Sequence, residues 1–190
     1  MIRAFVAIEL TEQVRENLRH WQAQLKAGGY SFVKWVEPSG IHLTLKFLGN
    51  VPENRITSLT AALTEAVKGV GSFRLQLTSP GAFPNLHRPR VVWVGLGGEV
   101  EKLLSLQDQV EKILNTLGFP RENRPFTPHL TLGRVREGAS TADARYLGEA
   151  IASLQVESGA SFTVTAVILM QSTLTPHGAL YHPLAVMPLG

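Results

Sequence analysis

Residues 41–51 read IHLTLKFLGNV and residues 128–135 read PHLTLGRV. The tetrad His-Leu-Thr-Leu thus occurs twice, its histidines 87 positions apart in a chain of 190. Side chains alternate across a strand, so in each copy the leucines go to a core. His42 with Thr44, and His129 with Thr131, then share the opposite face, about 6.6 Å apart at ~3.3 Å per residue. Strict alternation also places Lys46 beside His42. It turns Arg134 away from His129, and only a bend or bulge near Gly133 would bring it back.

A single histidine in a strand is more often a satisfied half-buried side chain, and threonine is a favoured strand residue in its own right. Two copies, one introduced by the turn cluster Pro38 to Gly40 and the other by Pro128, argue for use. An imidazole titrates near 6.5, so one ring can serve neutral as a base while another serves charged as an acid. Placed on opposite sides of a tetrahedral phosphorus, two rings can deprotonate an incoming water and protonate the departing oxygen. Threonine hydroxyls would hold the non-bridging oxygens. Such chemistry calls for no metal or cofactor.

Other uses of these residues fit less well. A catalytic zinc takes three protein ligands, and the motifs supply two histidines without an adjoining carboxylate. His87, His177 and His182 could complete a set only by tertiary accident. The absence of cysteine removes disulfides, thiolate nucleophiles and cysteine-ligated metals. No G-x-S-x-G elbow is present, and GLGG at 95–98 does not complete a dinucleotide fingerprint.

Away from the motifs, the pattern predicts a strand over 2–9, a helix capped by Thr11 and reaching about Lys26, and a short strand in FVKWV. Helical spacing runs from Pro52 to about Lys68 and from Val100 to Leu117, with a weaker helix from about Ala142 to Leu154. Strands are expected at Phe73 to Thr78, 91–96, Phe162 to Met170 and Ala179 to Val186, with GAFPNLHRPR (81–90) as a loop. The fold class expected is α+β and bilobal, with two mainly antiparallel sheets facing each other across a central cleft and helices outside. The chain would form a single bilobal domain, 1–190, in which each lobe contributes one motif (42–45 and 129–132). The motif separation, close to half the chain, suggests a degenerate tandem.

With 44% hydrophobic residues and a formal charge of +3, the composition suits a globular enzyme and is compatible with an anionic partner. No window approaches the ~18 apolar residues of a membrane span, and MIRAFVAIELTEQ lacks the marks of a leader. A cytoplasmic location and no obligate protein partner are expected.

HLTLKFLG at 42–49 and HLTLGR at 129–134 resemble the paired signatures of the two-histidine phosphoesterase superfamily. Within it, they resemble specifically the RNA 2′,3′-cyclic phosphodiesterases, also called 2′-5′ RNA ligases. RAFVAIEL, KWVEPSGIHLTLKFLGNV, GAFPNLHRPRVVWVGL, RPFTPHLTLGRV and YHPLAVMPLG extend the resemblance over essentially the whole chain. It implies metal-free hydrolysis of a 2′,3′-cyclic phosphate on RNA ends or nucleotides to the 2′-phosphate, with minor reverse ligation. His42 would be the proton donor to the 3′ oxygen, His129 the proton acceptor, and Thr44 and Thr131 the phosphate holders. Arg134 and Lys46 are candidate phosphate contacts; Phe47, Tyr181, Phe83 and the loop residues His87, Arg88 and Arg90 are candidate lining for RNA. The alternative is a nucleotide- or RNA-binding module that keeps the cleft without turnover.

Overall fold

The computed structural model describes residues 1–156 and 160–190. In chain order the elements are β1 (Ile2–Ile8), α1 (Glu12–Lys26), β2 (Val33–Trp35), β3 (Leu43–Val51), α2 (Ile56–Val67), β4 (Phe73–Phe83) and β5 (Val91–Gly98). They continue with α3 (Val100–Thr116), β6 (His129–Val135), α4 (Thr141–Ser153), β7 (Ser161–Val164), β8 (Ala166–Thr175) and β9 (Gly178–Pro188). Two sheets form, in the orders β3-β1-β8-β9 and β2-β6-β5-β4-β7. Every strand pairing is antiparallel. This is the α+β, two-sheet fold expected, with a cleft between the sheets.

The helices begin where local chemistry starts them. The Thr11 hydroxyl accepts from the Val14 amide, and Ser140 with Asp143 closes a reciprocal capping box on α4. On α1, Val14, Leu18, Trp21 and Leu25 form a buried stripe at helical spacing. Helices α2 and α3 pack against each other and cover the first sheet, while α4 lies on β4 of the second. One apolar core runs through all four helices and both sheets.

Three expectations are corrected. Residues 81–83 are not loop: β4 passes a bulge between Leu77 and Pro80 and pairs on to Phe83 opposite Val91. The segment 162–170 is not one strand. It breaks at Thr165, so that β7 edges the second sheet while β8 enters the middle of the first. The sheets are also not the two halves of a tandem, because the sheet carrying the first motif is completed by β8 and β9 from the C-terminal end. Among the described residues, no helix is long and apolar enough to cross a membrane.

Candidate active site

Both motif histidines stand at the start of their strands. Nδ1 of His42 lies 2.9 Å from the Gly40 carbonyl, and Nδ1 of His129 lies 2.7 Å from the Thr127 carbonyl. A carbonyl can only accept, so each Nδ1 carries a proton and donates, which leaves each Nε2 as the working nitrogen. Each ring also meets an aromatic edge: His42 against Tyr181, with centroids 5.1 Å apart, and His129 against Phe83 at 4.9 Å. The same arrangement is therefore built twice, once on each sheet. His42, Thr44, His129, Thr131, Arg134 and Tyr181 all line one cleft of about 1360 Å³.

The two rings differ in environment. Burial pushes the His42 pKa below its ordinary value of 6.5. The Gly40 bond opposes this, nearby Arg15 reinforces it, and Glu9 opposes it again.

Register shows how side chains beyond the threonines reach the cleft. Against β1, Thr44 pairs with Ala7 but Lys46 pairs with Val6, leaving Leu45 as an extra residue. Against β5, Thr131 pairs with Trp93 but Gly133 pairs with Val92, leaving Leu132 extra. Each motif strand thus carries a bulge at its second leucine, and a bulge shifts the alternation by one residue. The bulge restores Arg134 to the face of Thr131 and His129.

The same shift overturns the expectation for Lys46, which leaves the His42 face and turns inward. Its ammonium bonds Glu111 Oε2 at 2.7 Å and the Pro120 carbonyl at 2.7 Å, with both charged side chains almost wholly buried. Although Lys46 still borders the cleft, its charge is met by Glu111 and two of its three donors by protein partners, which argues against it as a phosphate ligand. Phe47 takes the cleft-facing place, opposite Phe5.

Four polar or charged side chains are buried among the described residues: Gln22, Lys46, Gln107 and Glu111. All four converge on the bulges. Gln22 of α1 donates to the Leu132 carbonyl at 2.8 Å and to the Val36 carbonyl at 2.7 Å. Gln107 of α3 reaches the Leu45 carbonyl at 3.4 Å. Each bulge carbonyl thus accepts from a buried carboxamide of a helix, and that of Leu132 accepts from the Val36 amide as well. Sequence reading missed these residues, yet a signal was present. Gln22 sits one turn after Leu18 on the apolar stripe of α1, and Gln107 and Glu111 fall between Leu103 and Leu114 on that of α3. Replacing Gln22 by leucine would leave the Leu132 carbonyl its bond from the Val36 amide but take the carboxamide from the Val36 carbonyl, at about 1–3 kcal/mol for a buried group left unpaired. A urea titration should show that loss; a change under ~0.5 kcal/mol would mean the bulge needs no such hold.

Arg3 also lines the cleft, two residues before Phe5 on β1. Phe83 and Arg90 line it as well, whereas His87 and Arg88 belong to a turn in which their amides bond Asn85 Oδ1. Among the described residues, no three His, Asp or Glu side chains gather as a metal site would require.

The sequence profile of the 2′-5′ RNA ligase superfamily matches residues 10–175, and the chain belongs to that family. Among its relatives, the RNA 2′,3′-cyclic phosphodiesterase of Methanothermobacter thermautotrophicus is 36% identical over 188 residues, covering 99% of each chain. That of Aeropyrum pernix is 39% identical over 159 residues, covering 80% of this chain and 84% of its own. Among solved structures, E. coli LigT complexed with 3′-AMP matches with a TM-score of 0.76 at 26% identity, over 99% of this chain and 98% of that one. A protein of Thermus thermophilus matches with a TM-score of 0.77 at 29% identity, over the same shares.

Proposed function

We propose that the chain hydrolyses the 2′,3′-cyclic phosphate of RNA ends or nucleotides to a 2′-phosphate, with reverse 2′-5′ ligation as a minor capacity. The observation that carries this is the pair of imidazoles, one from each sheet, lining a single cleft with each Nδ1 tied to a backbone carbonyl. Neutral His129 takes a proton from water through Nε2 as the water oxygen bonds to phosphorus. The P–O3′ bond breaks, and charged His42 delivers its Nε2 proton to O3′. The step leaves His129 charged and His42 neutral, so His129 must release a proton to solvent and His42 take one up before the next turnover. Thr44 and Thr131 donate to the non-bridging oxygens, and Arg134 supplies a countercharge as negative charge concentrates there. The direction of the two histidine roles follows the family resemblance.

The test is hydrolysis of 2′,3′-cyclic AMP in the presence of EDTA, with the product read by phosphorus NMR. A 2′-phosphate is expected. A 3′-phosphate would mean the wrong oxygen has been named as the leaving group, and no turnover would favour a binding module.

The lowered His42 pKa sets a pH signature. An acid must carry its proton, and the charged fraction of His42 falls as pH rises through its depressed pKa. One limb of the kcat/KM profile, which reports the free enzyme, is therefore expected to have an apparent pKa below the ordinary 6.5. An NMR titration of His42 beside the rate profile checks that this limb belongs to His42, and a His42 titration at or above 6.5 would remove the assignment.

A further inference from the structure

Five residues beyond each motif histidine the two half-sites diverge, with Phe47 on one strand and Arg134 on the other. Phe47 keeps 63% of its surface exposed, an unusual state for a phenylalanine, with its ring tilted against Phe5 at 6.0 Å. Beside it, β3 and segment 119–124 enclose a second cavity of about 540 Å³. Phe47, Arg121 and Arg124 line both this cavity and the cleft, so the two adjoin.

The far wall is anchored. The Pro120 carbonyl accepts from Lys46, the Glu122 amide donates to Glu111 at 3.3 Å, and the Arg55 guanidinium lies 4.9 Å over the Phe119 ring. A fixed pocket of this size, with an exposed aromatic face on one side and a guanidinium on the other, matches the way single-stranded RNA is gripped. Arg121 is held by Asp108 of α3, which leaves the diester to Arg124.

Direction comes from the chemistry. Water attacks from the His129 side and O3′ departs toward His42, so the ribose of the reacting nucleotide lies on the His42 side. Its 5′ phosphodiester then leads away along the half of the cleft that carries Phe47. We propose that the second cavity binds the nucleotide immediately 5′ to the cyclic-phosphate nucleotide, with its base against Phe47 and the connecting phosphodiester on Arg124. The inference rests on the phosphodiesterase reading and adds that an oligonucleotide end is preferred over a cyclic mononucleotide.

The experiment compares kcat/KM for 2′,3′-cyclic AMP with that for an adenylyl dinucleotide ending in 2′,3′-cyclic phosphate, and takes their ratio. The wild-type ratio is expected to favour the dinucleotide by about tenfold or more. It should fall toward one in Phe47→Ala and in Arg124→Ala, whatever either does to the mononucleotide rate. Both side chains are exposed, and thermal melts establish that the variants fold. A wild-type ratio near one, or a high ratio that neither variant lowers, overturns the subsite while turnover of cyclic AMP leaves the phosphodiesterase reading intact. Hydrolysis of neither substrate overturns that reading, and the subsite with it.

Discussion

Alanine in place of His42 or of His129 is expected to lower kcat/KM for 2′,3′-cyclic AMP by about 10²- to 10⁴-fold each. The reason is the division of labour between the two Nε2 atoms. Without a base the attacking water keeps its proton, and without an acid the 3′ oxygen must leave as an alkoxide. Removing both rings should cost far less than the product of the two single losses, because neither works fully without the other. Steady-state rates on the two single variants and the double variant check this. A single variant retaining more than about a tenth of wild-type activity would take its histidine out of the proton-transfer step. Thermal melts serve as the control, since among the described residues the rings hold no other side chain by hydrogen bond and each Nδ1 bond reaches only two residues back along the chain.

Glu111→Ala is expected to be the most destabilising of the site-adjacent changes, by about 3–5 kcal/mol. It would strand the Lys46 ammonium in a place where that side chain has 2% of its surface exposed. A loss of that size is a large share of the ~5–15 kcal/mol that holds a typical domain folded. Two effects add to it: the Glu122 amide loses its acceptor, and Gln107 loses a neighbour at 3.4 Å. Replacing both charges at once, Lys46→Met with Glu111→Leu, removes the stranded charge and should recover much of the loss. Urea unfolding of the single and double variants gives the comparison. Equal losses in both would show that the pair contributes through attraction rather than by mutual neutralisation.

The motif strands were legible in the sequence because period-2 alternation and repeated letters point the same way. The long helices were legible because their apolar stripes hold to 3.6 residues; α1 was expected to reach about Lys26 and does. The bulges were not legible. An extra residue in a ladder is a property of the partner strand's register, and HLTLKF carries no local mark of it. Lys46 was misplaced for that reason alone, since a one-residue shift moves every later side chain to the other face. The chain's passage between sheets at Thr165 was hidden similarly, because SFTV and AVILM are both good strand sequences and composition does not say which sheet each joins. For Arg134 the bulge condition could be stated in advance, and the register of β6 against β5 meets it.

The passage at Thr165 has a consequence for motion. The first sheet is assembled from both ends of the chain around β1, and the second takes β7 from the segment just before that crossing. Helix α1 follows a strand of the first sheet but pins β6 of the second, while α3 follows β5 and pins β3. The two walls of the groove are thereby stitched to each other by the backbone itself, with a common apolar interior beneath. Among the described residues these ties leave no seam for a two-shelled hinge. The span between the imidazoles is therefore expected to be set by folding, and a substrate to enter at the margins of the groove rather than by a swing of its walls.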